Sequence, residues 1–402
     1  MTLNNEQSDL IRKLTSDEPF TRLEAAASLA WAKNEESVKA LVKALDDENS
    51  LVRKQAASSL GLTENGQAVA PLIKSLRNEK DEVVAEEVKD ALILLDSIAV
   101  EALIKLLDDK SPEIRATSAS ILGNIGDTTS ISHLINSLND VDSTVRRNSA
   151  CSLGWIKSPD AVVSLLHTLN DTDLDVRTEA AKALKEINHS SAIGPLLDIL
   201  NSDNCKIKVL VIWLLGELKP KNAIPSLSLL LEDDNSILRE KAAISLGKIG
   251  SEKATDALVL SLKDQSKQVR QNSAIALGNI RSKKAVIPLM VALKDHSEDV
   301  RNSSAHALCI IQEDPQKKSV RDLSTIESNF KKNTLISLGR INSNSNVEQL
   351  LHKDSDKKFN IDIEKCKNTA NDLTKVVKSM ETWALNKINK TKKSNPETLK
   401  KK

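Results

Sequence analysis

The spacing of apolar positions divides the chain into a short and a longer helical pattern that alternate many times. The short one reads AVAPLIKSLRN, AVEALIKLLDD, AIGPLLDILNS or AVIPLMVALKD, with apolar residues three and four apart. Pro71, Pro195 and Pro288 stand near its front, where a first helical turn has no use for a backbone N–H. An acidic turn follows (DDENS, DDKSP, NDVDS, EDDNS), and its Asp, Asn and Ser oxygens suit the N-terminus of the next helix. The longer pattern is V-R-x-x-A-A-x-x-L-G. It predicts a helix from about three residues before its Arg to about ten after it. Numbering positions from that Arg, Val or Ile at −1, Ala at +3 and +4, Leu at +7 and Ile at +10 form one stripe. Small residues at +3 and +4 let helices approach, and Gly at +8 (Gly61, Gly123, Gly154, Gly216, Gly247, Gly278) is expected to loosen the helix end and ease packing.

The Arg falls at Arg22, Arg53, Arg115, Arg146, Arg177, Arg239, Arg270 and Arg301, with Val84 and Lys208 in the two gaps, so every step is 31 residues. Ten units in one register predict a repeat array, and KKNTLISLGRI is a degraded eleventh. The residues resemble the HEAT-repeat family, in the short variety named after phycobilisome lyase subunits. The pattern D-x-x-x-x-V-R-x-x-A-A-x-A-L-G-x-I-G is matched by DDNSILREKAAISLGKIG at 233–250 and DQSKQVRQNSAIALGNI at 264–280. The resemblance covers residues 14–312. It implies an all-α fold, an α-solenoid of ten to eleven repeats whose paired antiparallel helices stack into a curved rod, with the second helices lining the concave side.

The array is expected over residues 1–312. The degenerate unit at 313–342 is broken by Pro315, and 343–360 is polar and reads as linker. Residues 361–389 place Ile363, Leu373, Val376, Val377, Met380, Trp383 and Leu385 at helical spacing, an amphipathic cap for an open array end. Residues 390–402 form a basic, disordered tail.

Composition fits close-packed helices: no Tyr, three Phe and four Trp leave Ala, Leu, Ile and Val to build the core. With 57 basic and 56 acidic residues the whole chain has no strong electrostatic bias. Cys151, Cys205, Cys309 and Cys366 are far apart without metal-ligand spacing, which favours a reducing, cytoplasmic setting over a disulfide framework. The start carries no secretory pattern, and the longest apolar run, VLVIWLL, is too short to span a bilayer.

Asp47, Asp109, Asp140, Asp171, Asp233, Asp264 and Asp295 each precede an Arg slot by six residues. A repeated Asp and Arg predict a structural ladder between neighbouring repeats rather than phosphate ligands. Function is therefore sought on the face left over, formed by positions +2, +5 and +9. Three tryptophans fall there, Trp31 and Trp155 at +9 and Trp213 at +5, and in KVLVIWLLGEL the +2 residue is Leu210. The candidate partner- or ligand-binding residues are Trp155, Lys182, Glu186, Leu210, Trp213, Glu217 and Lys241, with Trp155 and Trp213 flanking a pocket floored by the Lys182/Glu186 helix. Self-packing of a tightly curled array and a lateral dimer contact are alternative uses of the same face. Glu87 is read as a polar residue at a tight interface of the third repeat, weakening it.

Catalytic chemistry is missing. None of His133, His167, His189, His296, His306 and His352 is followed by Glu, so a metal-dependent hydroxylase of HEAT type is disfavoured and no metal site is expected. No phosphate-binding loop or nucleophile elbow occurs. Cys151 has only Arg147 as a cation within a turn and reads as a bystander thiol. Nucleic acid is not favoured, because Glu24, Glu86, Glu179, Glu186 and Glu217 mix with lysines on the open face. The reading is a non-enzymatic scaffold that holds a protein partner along the concave face, without a cofactor. The alternative implied by the resemblance is a bilin lyase or lyase-like chaperone acting on a phycobiliprotein. There Glu217 or Glu186 would hold pyrrole nitrogens and Lys182 or Lys241 a propionate. The oligomeric state is left open.

Overall fold

A computed structural model describes residues 2–200 and 205–312. Among the described residues are twenty α-helices and no strand, and the helices fall into ten pairs. The second helices are Pro19–Leu29, Ser50–Gly61, Glu82–Leu94, Pro112–Ile125, Ser143–Ile156, Leu174–Ile187, Cys205–Leu218, Ser236–Ile249, Lys267–Ile280 and Glu298–Gln312. The first helices of the later repeats are short, such as Val162–Thr168 and Ile224–Leu229. The expected degenerate repeat, linker, cap and tail at 313–402 lie outside the described residues. The chain divides into two compact units, Met1–Leu196 and Leu197–Lys402.

Within each unit the second helices of consecutive repeats pack side by side, and each also packs on its own first helix. Their shared core is a column of leucines: Leu29, Leu60, Leu92, Leu122, Leu153, Leu184, Leu215, Leu246, Leu277 and Leu308 are each at most 1% exposed. Burying one such side chain contributes about 1.5–3 kcal/mol. The acidic turns cap as expected: Asp142 accepts from the backbone N–H of Thr144 and Val145, and Asp173 from Asp175 and Val176.

The Asp and Arg form a ladder. Arg146 donates Nη1 to the backbone carbonyls of Asp140 and Val141 in its own turn, and Nε and Nη2 to both oxygens of Asp171 in the next (2.7 and 2.9 Å). Arg22–Asp47, Arg115–Asp140, Arg239–Asp264 and Arg270–Asp295 repeat that geometry. Burial would push the Asp171 carboxyl up, but the Arg146 guanidinium and the Asp173 N–H outweigh it and hold it below the ordinary carboxylate range. The guanidinium fork is thereby consumed inside the scaffold. The ladder is incomplete around the seventh repeat. Arg177 Nε is buried without a partner. Lys208, too short and single-pronged to replace the fork, makes no ion pair with Asp233.

The third repeat breaks the register. Gly61 meets Ala91, thirty residues on, whereas Gly154 meets Ala183 and Gly247 meets Ala276, both twenty-nine on. Arg53 pairs with Glu79 rather than with the residue one earlier. One residue has been inserted before this second helix and removed after it, where Asp96 turns the chain with φ 52° directly into the helix Ser97–Leu106. Val84 therefore occupies the buried −1 position and Ala85 the Arg position; Asp109, left without its usual Arg, is held by Arg77. This corrects two expectations. The 31-residue step is interrupted, and Glu87 is at the half-buried +2 position, paired with Lys54 at 3.5 Å, not at the tight interface.

The +8 glycines serve packing, and except for Gly61, the last residue of Ser50–Gly61, they do not mark helix ends. A Cβ on Gly154 would lie 2.8 Å from Ala183 Cα, and the helix continues beyond it to Ile156. The ends are instead made at +11 by left-handed residues, Gly126 and Gly250 but also Lys157, Asn188 and Arg281.

Candidate interaction surface

The positions left outside the core and ladder form one strip on each second helix. Residues −2, +2, +5 and +9 are spaced four, three and four apart and lie on the side opposite the buried leucine. The strip differs between the units.

In the second unit its centre is apolar. Trp213, Ile244 and Ile275 occupy +5 in consecutive repeats, the first two half-buried and Ile275 41% exposed. Leu210, also half-buried, extends this stripe at +2 of the seventh repeat. The three helices carrying it are clamped together: Ser245 donates its hydroxyl to the Ile212 carbonyl at 2.7 Å, and Gly247 admits the backbone of Ala276. The edges of the stripe are polar. Lys248 donates to Glu217 across the seventh and eighth repeats, Asn279 is exposed, and Lys241 pairs with its neighbour Glu240 at 3.1 Å. Leu210, Trp213, Glu217 and Lys241 thus lie on the same strip of two consecutive second helices. No residue from 207 to 218 is fully exposed, and Val211, Ile212, Leu214 and Leu215 are completely buried. The apolar run is one helix with a core face and an apolar outer face. Ile244 and Ile275 were missed from sequence. Their signal was a column at +5, visible only when the repeats are aligned.

In the first unit Trp155 is half exposed at the end of Ser143–Ile156. Lys157, two residues on, faces Glu186 of the next repeat at 3.8 Å, and Lys182 is held by Glu179 at 2.7 Å. The structure therefore brings Trp155, Lys182 and Glu186 onto one surface, with both charges already paired. The expected pocket flanked by Trp155 and Trp213 involves residues of two different units. Cys151, at +5 of the same helix, is half-buried on this strip. Burial pushes its thiol up and Glu179 adds to the shift, while Lys182 and Arg147 only oppose it. A thiol so placed is a poor nucleophile.

The balanced total charge is an average of two unlike parts. Residues 1–196 hold 21 Lys and Arg against 31 Asp and Glu (21 − 31 = −10). Residues 197–402 hold the remaining 36 against 25 (36 − 25 = +11). Among the described residues no group of His, Cys, Asp and Glu has metal-binding geometry, and no helix is long and apolar enough to cross a membrane. A groove of about 610 Å³ opens where the register slips, between the first helices of the second and third repeats, lined by Pro71, Lys74 and the Arg53–Glu79 pair. It includes none of the sequence-selected residues.

The family model for HEAT repeats matches residues 8–93, 100–185, 131–204, 191–264 and 257–331. The chain is a HEAT-repeat protein. No curated protein matches it. Among solved structures, the karyopherin Kap121p bound to the extreme C-terminus of the phosphatase Cdc14p is 14% identical, with a TM-score of 0.58 over 83% of this chain and 43% of that one. Kap95p, in its complex with RanGDP, is 15% identical with a TM-score of 0.52 over 87% and 58%. The CpcE–CpcF phycocyanin lyase complex of Nostoc sp. PCC7120 is 21% identical, with a TM-score of 0.34 over 60% and 94%. This HEAT-repeat chain spans about half the length of the karyopherins it matches, and at these identities the likeness concerns the fold.

Proposed function

We propose that this protein is a non-enzymatic scaffold that holds a protein partner along the concave face of its array, in the cytoplasm. The observation that supports it is the Trp213–Ile244–Ile275 stripe, an apolar line with polar edges on helices whose buried core is complete without it. Large apolar side chains gathered on an accessible face are a contact surface in search of a cover, and Trp is a frequent anchor in such contacts. Glu217, Lys248 and Lys241 would form the polar rim. The Kap121p structure holds a protein segment, the extreme C-terminus of Cdc14p, which is the use of the fold proposed for this chain.

The test is quantitative co-purification with three full-length variants. Trp213→Ala and Ile275→Ser are expected to lose the bound protein while melting as one folded array. Trp31→Ala, on the first unit, should retain it. Loss in all three, or in none, would count against the stripe. Adding biliverdin to the purified protein separates this reading from bilin handling: a scaffold leaves the absorption band unshifted.

A further inference from the structure

On the first three repeats the same strip is inverted. Phe20, Leu51 and Val83 form a row at −2, and Trp31, Leu62 and Leu94 a second row at +9, all exposed, from 39% at Leu62 to 77% at Trp31. The rows are eleven residues apart along each helix, about 16 Å at 1.5 Å per residue. Between them runs a polar floor in which the carboxylates of Glu24 and Asp90 carry no ion pair. Beyond the upper row stand Asp17, Glu18, Glu48 and Glu82, and the whole unit is acidic by ten charges.

We propose that this surface is a second docking site, chemically distinct from the stripe on repeats seven to nine. Its occupant is a basic amphipathic helix of a partner protein, with a stripe of Lys or Arg bordered on both shoulders by large apolar residues. Three observations select that occupant. The spacing of the rows admits one helix, about 10–12 Å across, lying along the array in the trough. The floor and upper lip are acidic, so the stripe facing them must be basic, and such complementarity sets both orientation and encounter rate. The apolar rows flank the floor on both sides, so a merely basic segment would leave six large side chains uncovered. Three second helices packed about 8–10 Å apart give the trough a length of about 20 Å, one helix of about 14 residues. Apart from a long 3.4 Å contact between Arg22 and Glu48, the array's own arginines do not compete for these carboxylates, because the ladder holds them elsewhere. The proposal stands independently of the reading of the Trp213 stripe.

The test uses the full chain and a labelled, helix-forming peptide of about 18 residues with one Lys stripe between two Leu shoulders. Two control peptides are used: a scramble of identical composition, and the same pattern with Glu for Lys. The expected result is saturable binding of the first peptide and at least tenfold weaker binding of both controls. Leu51→Ser with Leu62→Ser should weaken it at least tenfold. Glu24→Gln with Asp90→Asn, which alters no packing, should weaken it severalfold and reduce its salt dependence. Ile275→Ser should leave it unchanged. Equal binding of the scramble would reduce the surface to non-specific acidity. Failure of the peptide to bind, indifference to both double variants, or equal loss in Ile275→Ser would each overturn the proposal.

Discussion

Repeats one to three and repeats seven to nine share a scaffold and invert its open face. In the former the apolar residues lie at the edges of the strip, Leu51 and Leu62 around Ser58. In the latter they lie at the centre, Ile244 between Ile237 and Lys248, with only Ile237 apolar at the edge. Both groups keep the leucine column, and Ser59 and Ser245 both donate to the helix one repeat earlier. Positions +3, +4, +7 and +8 are fixed by the contact each repeat makes with the next. Positions −2, +2, +5 and +9 are under no such demand, so one array presents different chemistry along its length.

If the open face and the core are separate, substitutions on the core side must cost the most stability. Leu215→Ala, on the core side of the Trp213 helix, is expected to cost about 2–5 kcal/mol by leaving a cavity, measured by chemical denaturation. Next in size is the ladder. Arg146→Ala strands the mostly buried Asp171 carboxylate and should cost about 2–4 kcal/mol, with a larger loss than any substitution on the open strip. The ladder also sets the acid response. The carboxyls of Asp140, Asp171 and Asp264 titrate lower in the folded chain than in the unfolded one. Their contribution is complete above the unfolded carboxylate value of about 3.9 and is lost as pH falls through the folded values. Denaturation midpoints should therefore be flat from about pH 8 to 5 and fall below about pH 4. Asp171→Asn should reduce that fall. Gly247→Ala is intermediate: its Cβ would stand 2.8 Å from Ala276 Cα, so overpacking of about 1–3 kcal/mol is partly offset by about 1 kcal/mol of helix propensity. Smallest is Trp31→Ser on the exposed edge row, expected within about 0.5 kcal/mol.

The fold was legible because each repeat must meet its neighbour with the same residues, which prints a period into the sequence. The ladder was legible for the same reason. The slip in the third repeat was not: Val83 and Val84 are adjacent and alike, so a one-residue shift looks like a substitution at the Arg position. That slip also moved Leu94 out of its column and hid the lower edge row of Trp31, Leu62 and Leu94. Ile244 and Ile275 are inconspicuous +5 residues in sequence because each stands in a helix of ordinary pattern, whereas the stripe crosses three helices. The acidic first unit was concealed by its basic counterpart in the total. In each case the missing information was lateral, a relation between repeats that only packing makes visible.

Whether the open strip is a contact surface built on a self-sufficient core is decided at Trp213. Stability and partner affinity should be measured on the same Trp213→Ala preparation beside Leu215→Ala. Trp213→Ala is expected to lose about 2 kcal/mol or more of binding while its unfolding free energy falls by less than that of Leu215→Ala. If Trp213→Ala unfolds as readily as Leu215→Ala and its folded fraction binds the partner with unchanged affinity, Trp213 belongs to the core and the strip is not a contact surface.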